Sequence, residues 1–296
     1  MPDYRKLTDR RVKEAETSSA FMDALVRTLQ AAFYGLLIDW VSGNIETVDG
    51  KMKYSASNLG KVAGVYLLFD RFSRQYKKTV LGGILDRAGR LFGLNKDYFE
   101  VVTEKPVNES VQDAARRLTL QRWGYNTTTK ELIPGGYMEA LFQNQGVARN
   151  VAGLVNRAIA GQMSLADFQK QFRKLFIGKP GQGMLERHWK TNSYDLFARI
   201  DRAANLVYAD RLGLDYAIYS GTVKDTTRPW CEKHVNKVLS RKEIEAWKNQ
   251  EWAGKIEVGY DPYLDCGGFQ CRHTWSFISN TVAEYLRPEL KSETNG

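Results

Sequence analysis

Through its first two-thirds the chain repeats apolar residues at intervals of three and four, the period of helices with one buried face. Behind the capping stretch Glu16-Thr17-Ser18-Ser19, the positions Phe21, Leu25, Leu29, Phe33, Leu36, Leu37 and Trp40 predict a helix that Ser42-Gly43-Asn44 stops. A second helix is expected from about Ser57 or Asn58. It carries Leu59, Val62, Tyr66, Phe69, Ser73 and Tyr76 in near-heptad spacing, the narrow face that a bundle or an inter-subunit contact needs. Gly82-Gly83 should interrupt it, ahead of a shorter apolar segment from Ile84 to Leu94. Further helices are predicted over 107–123 and 138–160, and over 165–176 behind Ser164, with Leu165, Phe168, Phe172 and Leu175 inward. Asn126-Thr-Thr-Thr129 reads as a polar loop and Pro134-Gly135-Gly136 as a turn.

The pattern changes at Gly178-Lys-Pro-Gly-Gln-Gly183, where a domain boundary is expected. This glycine-rich run lacks the G-x-x-x-x-G-K-[ST] spacing of a phosphate loop and has no apolar strand before it, so it reads as a linker. Beyond it a helix from His188 to Leu212 buries Leu196, Phe197, Ile200, Ala204 and Val207 and ends at Gly213. Asp215 to Ser220 alternates as a short strand, Ser240-x-x-Glu243 is a capping box opening a short helix to about Asn249, and Thr274 to Tyr285 closes the domain. The fold class is therefore α+β. A mostly helical docking region spans residues 1–178, a small α+β domain that a zinc ion could staple spans 179–290, and 291–296 is a disordered tail.

At 296 residues and 43% apolar composition, the chain can build a proper core. Three cysteines, an odd number, argue against a disulfide scaffold and for a reducing compartment. The charged start, Met1 to Glu16, has no apolar core of a secretion signal. The longest apolar run, Ala31 to Val41, contains Asp39 and is too short to cross a bilayer, so a soluble protein without membrane partners is expected. The net charge of +9, with a pI near 9.3, favours polyanions or an acidic protein surface. Arg71, Arg74, Lys77, Lys78, Arg87, Arg90 and Lys96 lie in one stretch against the single acid Asp86. That stretch is either a solvated helix face or a contact for nucleic acid or an acidic partner.

The chemistry is concentrated between residues 231 and 273, which hold all three cysteines and two of the three histidines. Cys231-x2-His234 lets two side chains reach one metal from a tight turn, and Cys271-x-His273 puts two side chains on one face of an extended segment. Together they make four candidate ligands for a structural zinc, with Cys266 as a fifth; buried thiols and hydrogen-bonded histidines are the plainer alternative. Asp225-Thr-Thr-Arg228 reads as a turn in which Arg228 can pair with Asp225 or Asp265. His188 stands alone beside Arg187 and Trp189 and reads as a surface or packing residue.

The order of these segments carries a resemblance. A helix ending Leu212-Gly213 is followed by Tyr219-Ser-Gly-Thr222, Asp225-Thr-Thr-Arg228, Cys231, the Ser240-x-x-Glu243 helix with Trp247, and Gly268-x-x-Cys271-Arg-His273. Over roughly residues 185–280 this resembles the phage Mu F-like head morphogenesis family, the minor head proteins of tailed bacteriophages. Members commonly close with Cys-Arg-Cys after a Pro-x-x-His; here His273 replaces the last cysteine and Gly267-Gly268 stands where the histidine would be. The resemblance implies a few-copy virion protein in the head interior or at the portal vertex, made in the host cytoplasm. It also implies a role in head morphogenesis, with DNA packaging or ejection as further roles. The partners it implies are the portal protein first, then the major capsid or scaffold protein and packaged DNA.

Rival readings remain. A metal-dependent nuclease would suit the charge, yet Asp261 and Asp265 are the only acids near His234 and His273 that could hold a catalytic Mg²⁺. ADP-ribosyl transfer would need Glu243 and Glu245 to act together, and residues two apart on a helix face different ways. A non-specific DNA-binding protein would concentrate its basic residues on one face. No catalysis is expected.

Overall fold

The computed structural model describes residues 4–143, 145–179, 182–193 and 195–290. Part of the expected linker (180–181) and the whole expected tail (291–296) lie outside the described residues. In chain order the elements are α1 (Tyr4–Asn44), a hairpin of β1 (Thr47–Val48) and β2 (Lys51–Met52), α2 (Ala56–Lys61), α3 (Ala63–Thr103) and α4 (Glu109–Arg122). A second hairpin of β3 (Tyr125–Asn126) and β4 (Glu131–Leu132) precedes α5 (Tyr137–Ala140), α6 (Gln145–Ala160) and α7 (Leu165–Phe172). A π-helical turn, Arg173–Ile177, leads to α8 (Met184–Asn192) and α9 (Leu196–Arg211). The last part is β5 (Tyr216–Ser220), α10 (Pro229–His234), β6 (Val238–Ser240), α11 (Arg241–Glu245), α12 (Pro262–Asp265), β7 (Thr274–Ile278) and α13 (Asn280–Leu286). The fold is α+β, with a long helical N-terminal region and a three-stranded sheet in the C-terminal part.

The chain does not divide at the glycine-rich run. One compact unit comprises Met1–Ser19, Leu85–Pro134 and Asp195–Gly296, and the other Ala20–Ile84 and Gly135–Tyr194, so α1 and α3 each contribute to both. The expected 1–178/179–290 division fails because the first turns of α1 belong with the C-terminal sheet. Periodicity starts α1 near residue 20, whereas the helix begins at Tyr4. Its early buried face is polar: Thr8 bonds Ser276 at 2.6 Å, and Arg11, fully buried, reaches Asp201 through two hydrogen bonds of 3.0 and 2.9 Å. A polar buried face leaves no apolar stripe to read.

The second unit has the aromatic core that the sequence pattern points to. Phe33 of α1 meets Phe69 and Phe72 of α3 and Phe176, at centroid distances of 5.2, 4.7 and 5.3 Å. The expected break at Gly82-Gly83 does not occur, and α3 runs on to Thr103. Gly83 instead admits a close helix contact, since a Cβ there would lie 2.8 Å from Met22 Sδ. One 18-residue window of α1 reaches a mean hydropathy of 1.3, enough by length and composition alone for a membrane crossing. Met22, Val26, Phe33 and Leu37 from α1 are nonetheless fully buried core residues. The single helix expected over 188–212 is two, α8 and α9, separated by Asp195 in the left-handed conformation (φ 49°).

The first unit is built on the antiparallel sheet β6-β5-β7, with Ile218 opposite Val238 and Ser276, and Tyr219 opposite Trp275. Alternation along β5 puts Ala217 and Tyr219 on one face, against Trp275, Phe277, Tyr98, Phe99, Tyr208 and Trp247. Tyr216 and Ile218 face a smaller cluster of Val238, Ile278, Ala283 and Leu290. Asp201 ties α9 into this core, accepting from Asn95 at 2.7 Å as well as from Arg11. Removing one member of such a buried ion pair strands the other charge. Asp201→Ala is therefore expected to destabilise the protein by about 3–5 kcal/mol, read as a lowered urea midpoint. A loss within experimental error would contradict this role.

Candidate metal centre

Two loops of the first unit bring the cysteines together. After β5 the chain turns through Lys224–Thr227, where the Lys224 N–H donates to Thr227 Oγ1 and the Thr227 N–H to the Lys224 carbonyl, each at 2.8 Å. Pro229 then opens α10, which buries Cys231. The other loop leaves α12 at Cys266 (φ 51°), passes Gly267 and Gly268, and returns Cys271 and His273 into β7. Arg202 of α9 holds this return. Its buried guanidinium donates to the carbonyls of Leu264 (2.7 Å), Cys271 (2.5 Å) and His273 (2.7 and 3.1 Å).

Cys231, Cys271 and His273 converge, with one donor atom from each within 4.8 Å of the others and all three residues buried. Cys231 Sγ lies 3.9 Å from Cys271 Sγ, which lies 3.6 Å from His273 Nδ1. The Tyr219 hydroxyl donates to Cys231 Sγ at 3.4 Å and lies 3.3 Å from Cys271 Sγ, and the Gly267 N–H donates to Cys271 Sγ at 3.3 Å. Two glycines make this closeness feasible. A Cβ on Gly267 would sit 2.1 Å from Cys231 Sγ, and one on Gly221 would sit 2.5 Å from His273 Cδ2. The Cys231 thiol donates to Cys271, which holds Cys271 well below the ordinary thiol range, and His273 and Arg202 act in the same direction. The same bond and burial push Cys231 up. A thiolate, a thiol that must give up its proton for a metal to bind, and an imidazole form a soft donor set that could hold a metal ion.

His234 is not part of this cluster. Its Nδ1 donates to the Trp230 carbonyl at 2.7 Å, one helical turn back, and its ring packs 4.4 Å from Trp230 and 4.9 Å from Trp247. The last turn of α10 thus takes the ring as its own cap, and the Cys-x2-His spacing does not act as a ligand pair. Cys266, fully buried, lies outside the cluster with its Sγ toward the Tyr263 carbonyl at 3.9 Å. Arg228 pairs with neither expected acid: it donates to the Phe269 carbonyl, joining the Asp225–Arg228 turn to the Cys266–Cys271 loop. Asp225 is exposed, and Asp265 pairs with Arg199 at 3.2 Å. Asp261 caps α12 through the Tyr263 N–H and bonds Arg122 at 2.7 Å, so each acid considered for Mg²⁺ already has a cationic partner.

Among the basic candidates, Arg74 pairs with Asp70 (3.0 Å) and Arg90 with Asp86 (3.4 Å). The Arg87 side chain is only 11% exposed and lies 3.8 Å from Glu14. Arg71, Lys77 and Lys78 are exposed on α3. His188 packs in the second unit, 3.2 Å from the Leu141 carbonyl. Sequence reasoning missed Arg202 and the hydroxyl role of Tyr219. Arg202 has no local signal, since only the chain's return to residues 264–273 gives it acceptors.

Cys231, Cys271 and His273 also line a cleft of about 470 Å³, together with the face of α1 bearing Asp9, Val12, Lys13 and Glu16. Compared with protein-family models, curated proteins and solved structures, the chain has no significant match.

Burial, helped by Lys237 and Lys233, holds the His234 pKa below its ordinary 6.5, so the folded state prefers the neutral ring. This preference costs nothing above the unfolded pKa and weakens the fold as pH falls through about 6.5 toward the folded value. His234→Phe, which keeps a ring among the tryptophans, should flatten the loss of urea stability between about pH 7 and 5. An unchanged acid slope would contradict the assignment.

Proposed function

We propose that this chain is a minor head protein of a tailed bacteriophage, seated at the portal vertex, with its C-terminal part stapled by one zinc ion. One observation carries the reading. The separate segments that bear the Mu F-like resemblance meet in three dimensions: Tyr219, Cys231, Cys271 and His273 touch or neighbour one another, and Arg228 bonds the loop between Cys266 and Cys271. A motif whose parts share one centre behaves as a structural unit.

Zinc suits that centre. Tetrahedral coordination with Zn–S near 2.3 Å and Zn–N near 2.05 Å implies S···S of about 3.8 Å and S···N of about 3.6 Å. The corresponding distances here are 3.9 and 3.6 Å. With Nδ1 so committed, the other ring nitrogen carries the proton. Cys231, Cys271 and His273 would hold the ion, and it would supply cross-links between α10 and the start of β7 in a unit whose loops have little regular structure of their own. The net charge of +9 suits a position beside packaged DNA. Portal protein is the main partner in this reading, with capsid or scaffold protein and DNA secondary.

Elemental analysis of the purified chain should find about one zinc per molecule. Cys231→Ser, Cys271→Ser and His273→Ala should each lose it, whereas His234→Ala and Cys266→Ser should keep it. Zinc that survives Cys271→Ser, or leaves with His234→Ala, would contradict this ligand set. For the partner, co-expression with the portal protein of the same phage genome should give a complex that co-elutes in gel filtration. Separate elution over a range of salt concentrations would overturn the portal reading. The nuclease reading has one observation in its favour, the cleft beside the cysteines; zinc-dependent nicking of supercoiled plasmid, lost in Cys271→Ser, would promote it.

A further inference from the structure

Among the described residues, three donors converge for an ion that takes four. His234 is bonded to the Trp230 carbonyl, Cys266 lies outside the cluster, and the acids Asp261 and Asp265 are paired with Arg122 and Arg199. Tyr219 and Gly267 reach the sulfurs as hydrogen-bond donors, and no Cβ at Gly267 would fit between them. All three donor residues line the 470 Å³ cleft. His273 is 4% exposed, and its Nε2 is buried with no hydrogen-bond partner. With Nδ1 on the metal, Nε2 lies on the far side of the ring and points away from the ion, so it calls for an acceptor other than the fourth ligand.

The charge of the cleft indicates what the fourth ligand is. Lys13, Lys224, Arg228 and Arg272 line it against Asp9 and Glu16, four cations to two acids, with the hydroxyls of Thr222, Thr226 and Thr227 beside them. Arg228 is engaged with the Phe269 carbonyl, and Arg272 lies 3.5 Å from Asp195. Lys13 and Lys224 are exposed and line the cleft from α1 and from the turn after β5. Two thiolates and a neutral imidazole cancel the charge of a divalent ion, so selectivity for an anion must come from these cations and hydroxyls.

We propose that the metal centre is open on its cleft side and completes its coordination with a phosphate-type oxyanion recruited by Lys13 and Lys224. This inference rests on the metal reading of the site, and one experiment separates the two. The full chain is loaded with Co²⁺ in place of zinc, and its absorption is followed at constant ionic strength. Additions are inorganic phosphate, a single-stranded oligothymidylate without terminal phosphate, or perchlorate as a non-coordinating control.

A sulfur-to-cobalt charge-transfer band that reaches its end point at one equivalent and is lost in Cys271→Ser is the expected sign of the metal site; its absence overturns the metal reading itself. Given that band, phosphate should shift the visible d–d bands saturably while perchlorate leaves them in place. The double variant Lys13→Ala/Lys224→Ala should keep the charge-transfer band and weaken the phosphate response about tenfold, as the loss of two exposed charge contacts implies. A response to both phosphate and the oligonucleotide, or to either alone, supports the proposal and identifies whether monoester-like or diester phosphate is taken. Bands that move with neither overturn it and leave the metal reading standing. A tetrahedral spectrum that is indifferent to anions and collapses in Tyr219→Phe would overturn it in a specific way, by making Tyr219 the fourth ligand.

Discussion

Arg202 is the constraint on which the site depends. Its guanidinium is buried, and its four hydrogen bonds go to the carbonyls of Leu264, Cys271 and His273. Each bond fixes backbone rather than side chain, so the arginine sets the path of the loop that returns from α12 to β7. That path brings Cys271 up to Cys231 and lays the His273 ring against Tyr219, with centroids 5.2 Å apart and planes at 16°. The same buried cation favours a thiolate at Cys271, behind the larger effects of the bond from Cys231 and of His273. A single residue on α9 thus couples loop geometry to the protonation state a metal ligand needs.

A polar network extends this constraint into the helices. Arg11 on α1 and Asn95 on α3 both meet Asp201, one residue before Arg202, and Thr8 reaches Ser276, which bonds Ser220 at 2.8 Å. The first turns of α1 are thereby fixed beside the sheet. Their other face, with Asp9, Lys13 and Glu16, lines the same cleft as the cysteines. The beginning of the chain is in this way part of the C-terminal site, which a linear division into an N-terminal and a C-terminal domain misses.

What was legible in the sequence follows from the kind of force involved. Apolar periodicity found Phe33 and Leu37 of α1, Phe69 and Tyr76 of α3 and Phe168 and Phe172 of α7, which are buried as hydrophobic residues usually are, but it also counted Phe21, Leu36 and Tyr66 in its stripes, and these are exposed. It found β5 by alternation and α11 by its capping box, which is formed as expected. It failed where burial is polar, as at Thr8 and Arg11, and where glycine serves close packing rather than interruption, as at Gly83. For the site, crowding of cysteine and histidine pointed to Cys231, Cys271 and His273. Spacing alone could not exclude His234, whose fate depends on Trp230 and Trp247, nor suggest Arg202, whose partners lie more than 60 positions away.

On the proposed reading, the C-terminal part of the chain is organised by buried charge and stapled by zinc, with a fourth coordination position open to a cationic cleft. X-ray absorption at the zinc edge of the purified full chain tests this most directly. The account predicts a mixed shell of two sulfurs near 2.3 Å and two lighter nitrogen or oxygen atoms near 2.0–2.1 Å. Three sulfurs, which would bring Cys266 into the shell, or a second histidine seen by its outer-shell scattering, would contradict it.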